Sequence, residues 1–286
     1  MSISFFRVFI TIYLIKLYMS MIKRILILTS LILQFCFLHA GIVVLNGLTH
    51  SYKVESGKVY KGKIAIENTS VNPQNVKIYL QDFTYQANGT THYAALHTNS
   101  RTNGDWIKLN TNLVTLKGKE KTEIFYEITV PDKSVDPGSY WSVIIVEPVE
   151  DIKPTNDKPG VNITSVIRYA IQVITDYDAE KAKPDLKFEG VKIEKQDKKQ
   201  VAKIAIANQG NLYCRPTASI EIYNRNTGEK IGNFSGLAMG LLPQTSKTFD
   251  IDISKVPPGQ YKAVIITTDE DENAFALNVE LEVKND

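Results

Sequence analysis

The stretch "PGSYWSVIIV" (137–146) decides the fold, because the chain writes it a second time as "PGQYKAVIIT" (258–267). In each copy Pro-Gly turns the chain, a tyrosine follows, and a run of β-branched residues carries a strand through the middle of a sheet. A tyrosine at that corner packs its ring inward and bonds its hydroxyl to backbone across the turn. A second pair of phrases, "KIAIEN" (63–68) and "KIAIAN" (203–208), repeats in the same order. From 63 to 203 the offset is 140 residues and from 137 to 258 it is 121, so the first half holds about 19 extra residues between its two phrases. In both "IAIEN" and "IAIAN" the isoleucines share one face, and the closing Asn suits the turn after the strand.

Working outward, period-two alternation runs through the chain and helical periodicity is nearly absent. "TEIFYEITV" puts Ile124, Tyr126, Ile128 and Val130 on one face. "KTFDIDI" does so with Phe249, Ile251 and Ile253, and "FALNVELEV" with Phe275, Leu277, Val279, Leu281 and Val283. Turn signals separate the runs at "NPQN" (72–75), "ANGT" (87–90), "KGKE" (117–120) and "NTGE" (226–229). The fold class predicted is all-β: two tandem immunoglobulin-like β-sandwiches, over residues 41–180 and 181–286, joined at the polar, Pro-containing "DAEKAKPD" (178–185).

Residues 1–40 are a different material. They carry Arg7, Lys16, Lys23 and Arg24, no acidic residue, an apolar run from Ile25 to Phe37 and a small residue at Ala40, the pattern of a secretory signal peptide. Met19 or Met21 serves as well as Met1 for a start, with 1–18 an upstream extension. The rival, a membrane anchor, falls short of the roughly 20 apolar residues that a span needs. Phe35 before Cys36 is too large for lipoprotein processing. Without residues 1–40, the 33 basic residues fall to 29 against 31 acidic ones. The basic balance belongs to the leader, which removes nucleic acid as a default partner. Cys214 is then the remaining thiol, so an intrachain disulfide is excluded and a small buried side chain is expected.

Chemistry is sparse. His50, His92 and His97 lack metal-ligand spacing, and "DEDEN" (269–273) lacks the spaced ligands and glycine of a calcium loop, reading instead as a hairpin turn. No nucleophile elbow, CxxC or phosphate-cradling glycine loop occurs. No catalytic residue, metal or cofactor is predicted, and the chain reads as a binding protein, not an enzyme. Candidate binding residues lie on the side of strand 139–146 that carries Trp141, Val143 and Ile145, opposite Tyr140, Ser142, Ile144 and Val146. The second copy has Lys262 where the first has Trp141. The apolar second face therefore needs a cover: the 147–161 connection, the second sandwich or a partner. "VNITSVIRYAIQVITDY" (161–177) reads as a long strand in which Arg168 sits between Ile167 and Tyr169, there to pair with an anion, to reach the rim or to take a partner's carboxylate.

Four stretches, "GKVYKGKIAIENTS" (57–70), "WIKLNTNLVTLKGKEKTEIFYEITVP" (106–131), "PGSYWSVIIV" and "IRYAIQV" (167–173), resemble bacterial WxL-associated cell-surface proteins. Those proteins have a peptidoglycan-binding-type domain followed by a second sandwich. The resemblance implies an exported envelope protein at the periplasm or cell surface, with peptidoglycan or an envelope protein as partner. The chain also resembles periplasmic pilus chaperones, which lend a strand to a subunit. That likeness implies that Arg168 anchors a subunit's C-terminal carboxylate, with Val161 and Ile163 in the added strand and Lys53 as nearest candidate for a second basic anchor.

Overall fold

The computed structural model describes residues 18–19, 21–24, 41–132, 135–149, 166–197, 199–269 and 273–284. Seventeen strands are found among them, in four sheets. In the first half they are β1 (Ile42–Val44), β2 (Thr49–Val54), β3 (Val59–Asn68), β4 (Gln74–Tyr85), β5 (Thr91–Ala94), β6 (Ile107–Leu109), β7 (Leu113–Leu116), β8 (Lys121–Thr129), β9 (Gly138–Val149) and β10 (Tyr169–Tyr177). One sheet runs β1-β3-β8-β6; the other runs β2-β10-β9-β4-β5, with β7 also on β4. In the second half β11 (Leu186–Gln196), β12 (Lys199–Asn208) and β15 (Thr245–Asp252) form a three-stranded sheet. It faces β14 (Lys230–Ser235), β13 (Thr217–Asn224), β16 (Gly259–Thr268) and β17 (Ala274–Val283), ordered β14-β13-β16-β17. The protein is all-β, and among the described residues no strand pair joins the first two sheets to the last two.

The alternation sets the cores. Ile124, Tyr126, Ile128 and Val130 of the β8 region are all buried, as are Phe249, Ile251 and Ile253 at β15. On β17 the pattern weakens: Leu281 and Val283 are buried, Phe275 and Val279 half-buried and Leu277 exposed, because β17 is an edge strand. The repeated phrases land on equivalent strands, β3 and β12, then β9 and β16. Asn68 and Asn208 close the first pair and are both fully buried. Each side-chain amide donates to a carbonyl four residues on (Asn72 at 2.7 Å, Leu212 at 2.8 Å). Each also donates to a carbonyl from a later segment of its own half (Leu116 and Leu241), and each Oδ1 accepts an N–H two residues on (Ser70 and Gly210). The corner tyrosines match as well: Tyr140 donates to Asp136 O at 2.9 Å and Tyr261 to Pro257 O at 2.7 Å. β5 pairs with β4 as β14 pairs with β13, and the extra length of the first half falls after β5, at the 3-10 turn Gly104–Trp106 and β6.

β10 begins at Tyr169 and not at residue 161; Val166 to Arg168 precede it without strand structure, and 150–165 lie outside the described residues. Of the "DAEKAKPD" connection, Ala179–Lys181 form a 3-10 turn.

Candidate functional site

β9 is paired on both sides, by β4 and by β10, so its two faces are both sheet faces. Tyr140, Ile144 and Val146 enter the core of the first sandwich. Trp141, Val143 and Ile145 point the other way and are also buried, at 1%, 0% and 2% exposure. They belong to one apolar cluster with Phe83, Tyr85 and Ile174 of the same sheet, and that cluster continues into Cys214, Leu241 and Leu242 of the second sandwich. The Trp141 indole Nε1 donates to Phe83 O at 2.7 Å, so its polar edge is satisfied in a dry setting. Among the described residues the second sandwich covers this face.

Hydrogen bonds rivet the joint. The Tyr85 hydroxyl donates to Gly240 O (3.1 Å) and accepts from Leu242 N (2.9 Å). Burial pushes its pKa up to about 12, and the Lys247 ammonium lies 4.4 Å from its ring centroid. The turn after β4 bonds to β15: Ala87 N donates to Ser246 Oγ and Thr248 Oγ1 donates to Ala87 O. The opening phrase itself is a docking element. Ser139 N donates to Asn211 O, Asn211 Nδ2 donates to Pro137 O, and Tyr213 N donates to Ser139 Oγ. Gly138 (φ +127) lies so close that an added Cβ would meet Asn211 O at 2.2 Å. Behind it Ser139 Oγ donates to Asp176 Oδ1, and burial holds the Asp176 carboxyl above the usual carboxylate range.

Farther along the same face the cover ends. Cross-strand register puts Tyr79 and Ala170 beside Ile145, and Lys77 beside Glu147. Arg168 Nη1 lies 4.0 Å from Glu147 Oε1, and the Tyr79 hydroxyl donates to Glu147 Oε2 at 2.8 Å. Burial first, and the bond to Glu147 second, raise the Tyr79 pKa. Arg168 therefore has an anionic partner while half of its side chain stays exposed. Val166 and Ile167 are exposed beside it, at 42% and 67%. β2 pairs with β10 in parallel only from Gln172 onward, so from Tyr169 to Ile171 that edge carries no strand among the described residues. Val161 and Ile163 lie outside the described residues. Lys53 lines a separate cleft of about 660 Å³ at the sandwich junction, with Asp176, Glu180, Tyr213 and Arg215. The structure thus brings Trp141, Val143 and Ile145 together and separates Arg168 from Lys53.

Sequence reasoning missed two groups. Tyr52 and His50 meet Tyr126 between the sheets: His50 Nδ1 and the Tyr52 hydroxyl each lie 2.7 Å from the Tyr126 hydroxyl. Burial lowers the His50 pKa and raises that of Tyr126. The second is a shallow depression of about 400 Å³ over β3, β8 and β6, around an exposed Phe125. Among the described residues no group of three or more His, Cys, Asp and Glu could hold a metal ion, and no helix is long and apolar enough to cross a membrane.

Residues 158–286 match the family model described as WxL Interacting Protein, host binding domain. No curated protein sequence matches the chain. Similar solved structures include a chaperone–tip adhesin complex of CFA/I fimbriae biogenesis, at 12% identity and a TM-score of 0.46 over 84% of this chain and 98% of that one. The Class 5 fimbriae chaperone CfaA is 13% identical, with a TM-score of 0.44 over 83% and 98%. A chaperone–tip subunit pre-assembly complex of Csu pili from Acinetobacter baumannii is 15% identical, with a TM-score of 0.41 over 84% and 98%. In sequence the chain resembles WxL-associated proteins over its C-terminal part, and in structure it resembles the pilus chaperones.

Proposed function

We propose that the protein is exported and works at the cell envelope as a non-enzymatic binding protein, holding a cell-wall component such as peptidoglycan. The match of residues 158–286 to a model described as a host binding domain supports a surface-binding role in general, and the wall component rests on the resemblance of the 57–70 and 106–131 stretches to proteins with a peptidoglycan-binding-type domain. A two-sandwich body whose joint is apolar and hydrogen-bonded supports it, because such a body presents sheet faces and edges in fixed relation. Residues 1–40 are the cleaved leader in this reading, so the exported protein starts at Gly41. N-terminal sequencing of the secreted form tests that boundary. For the binding itself, the purified exported protein is sedimented with isolated peptidoglycan. Enrichment in the pellet supports the reading, and full recovery in the supernatant sinks it.

A second reading, strand addition to an exported subunit, is favoured by one feature: the stretch of the β10 edge from Tyr169 to Ile171 that carries no strand among the described residues, beside exposed Val166, Ile167 and Arg168. It requires a stoichiometric subunit that co-purifies and is lost on Arg168→Ala. Unchanged co-purification by that variant rules out the arginine as anchor.

A further inference from the structure

The duplicated architecture gives an internal control for every exposed position. Lys63 on β3 and Lys203 on β12 occupy the same place in the repeated phrase. Across the ladder Lys63 faces Phe125, whereas Lys203 faces Asp250. One register position on the outer face of a sheet is thus a phenyl ring in the first sandwich and a carboxylate in the second. The neighbouring inward positions agree, Ile64 with Ile124 and Ile204 with Phe249. Asp250 shows that the fold has no need of an apolar side chain there. Phe125 is half exposed, and it belongs to neither apolar core cluster among the described residues.

A second difference falls at the same spot. β6 pairs with β8 at the edge of the first sandwich, and β15, the counterpart of β8, carries no such strand among the described residues. β6 brings Lys108 beside Glu127, which faces Lys61 on its other side. Among the described residues neither lysine has an ion pair, so the row carries two unpaired ammonium groups around one carboxylate. Asn110, just past β6, accepts the Phe125 N–H through Oδ1 at 3.1 Å and holds that wall in place. Together Phe125, Lys61, Lys108, Leu109, Asn110 and Glu127 line the 400 Å³ depression.

An aromatic face carries negative quadrupolar charge that attracts the polarised C–H groups of a sugar ring, and an ammonium attracts a carboxylate. We infer that the outer face of β3–β8–β6 is a binding site for a carboxylated wall glycan, with Phe125 stacked on a sugar ring and Lys61 and Lys108 facing its carboxylates. This rests on the wall-binding reading above and gives it a place on the molecule. The lysines contribute through partly screened charge, so binding weakens as salt rises.

The test uses the purified exported protein with soluble muropeptides, which are carboxylated amino-sugar fragments, and with neutral chitin oligomers as the comparison. Phe125→Asp, which copies the second sandwich, is expected to weaken muropeptide binding about tenfold or more with an unchanged melting temperature. Lys61→Ala with Lys108→Ala is expected to remove the preference for muropeptides over chitin oligomers. If wild type pellets with peptidoglycan and Phe125→Asp pellets equally well, the wall reading stands and this site is wrong. If wild type binds neither peptidoglycan nor muropeptides, both fall. Capture of a protein through Phe125 with no glycan binding also overturns the proposal.

Discussion

At the scale of single residues, the two asparagines that close the repeated phrases are the most demanding positions. Asn68 and Asn208 each tie the turn after their own strand to a later segment of the same half through one buried amide. Truncation to alanine leaves buried carbonyls without a donor, a loss of about 1–3 kcal/mol or more per site. We expect Asn68→Ala and Asn208→Ala to cost similar amounts in urea unfolding; a large cost at one and none at the other contradicts the equivalence. Gly138 has a different reason to be fixed. Its φ is +127, and Asn211 O occupies the place of any Cβ. Gly138→Ala therefore strains the backbone by about 1–3 kcal/mol and pushes the sandwiches apart. The check is a lower melting temperature together with faster proteolysis in the 178–185 connection. The asparagines and corner tyrosines were legible in the sequence because a turn uses local chemistry. The Gly138 contact was not, since its partner lies 73 positions later and no periodicity points to it.

At the scale of elements, strands and faces followed from alternation, while edges did not. Trp141, Val143 and Ile145 announced an apolar second face, and what covers it was open until the second sandwich was seen in the same cluster. The start of β10 at Tyr169 was hidden because "VNITSVI" (161–167) has β-branched character in sequence, whereas the described Val166 to Arg168 carry no strand structure. Phe125 escaped notice because "TEIFYEITV" alternates correctly around it, and only the cross-strand register, with Phe125 opposite Lys63 and Asp250 opposite Lys203, makes the two positions equivalent. The inter-sheet cluster of β2 and β8 was equally invisible. There Gly62 on β3 leaves room for the Tyr126 ring, which an added Cβ would meet at 2.1 Å, and Tyr126 reaches His50 and Tyr52. His50 is held below its ordinary pKa near 6.5 by burial. The unfolded chain therefore binds a proton that the folded chain resists, and stability drops as pH falls below 6.5 toward the depressed value. Urea midpoints from pH 7 to pH 5 should fall more steeply for wild type than for His50→Gln. Parallel profiles would remove His50 from the pH response.

At the scale of the whole molecule, the joint between sandwiches makes the two halves one mechanical body. Its apolar cluster runs from Phe83 and Trp141 to Leu241 and Leu242 without a break, and backbone hydrogen bonds flank it. Trp141→Ala removes the largest fully buried side chain among the described residues and is expected to cost about 3–5 kcal/mol. Calorimetry should then show two separated transitions where wild type shows one; a single transition at the wild-type temperature would mean that the tryptophan does not couple the halves. The measurement that tests this account most directly is co-sedimentation of the exported protein with purified peptidoglycan, wild type beside Phe125→Asp. The account predicts wild type in the pellet and the variant, equally stable, in the supernatant. Wild type left in the supernatant would contradict it.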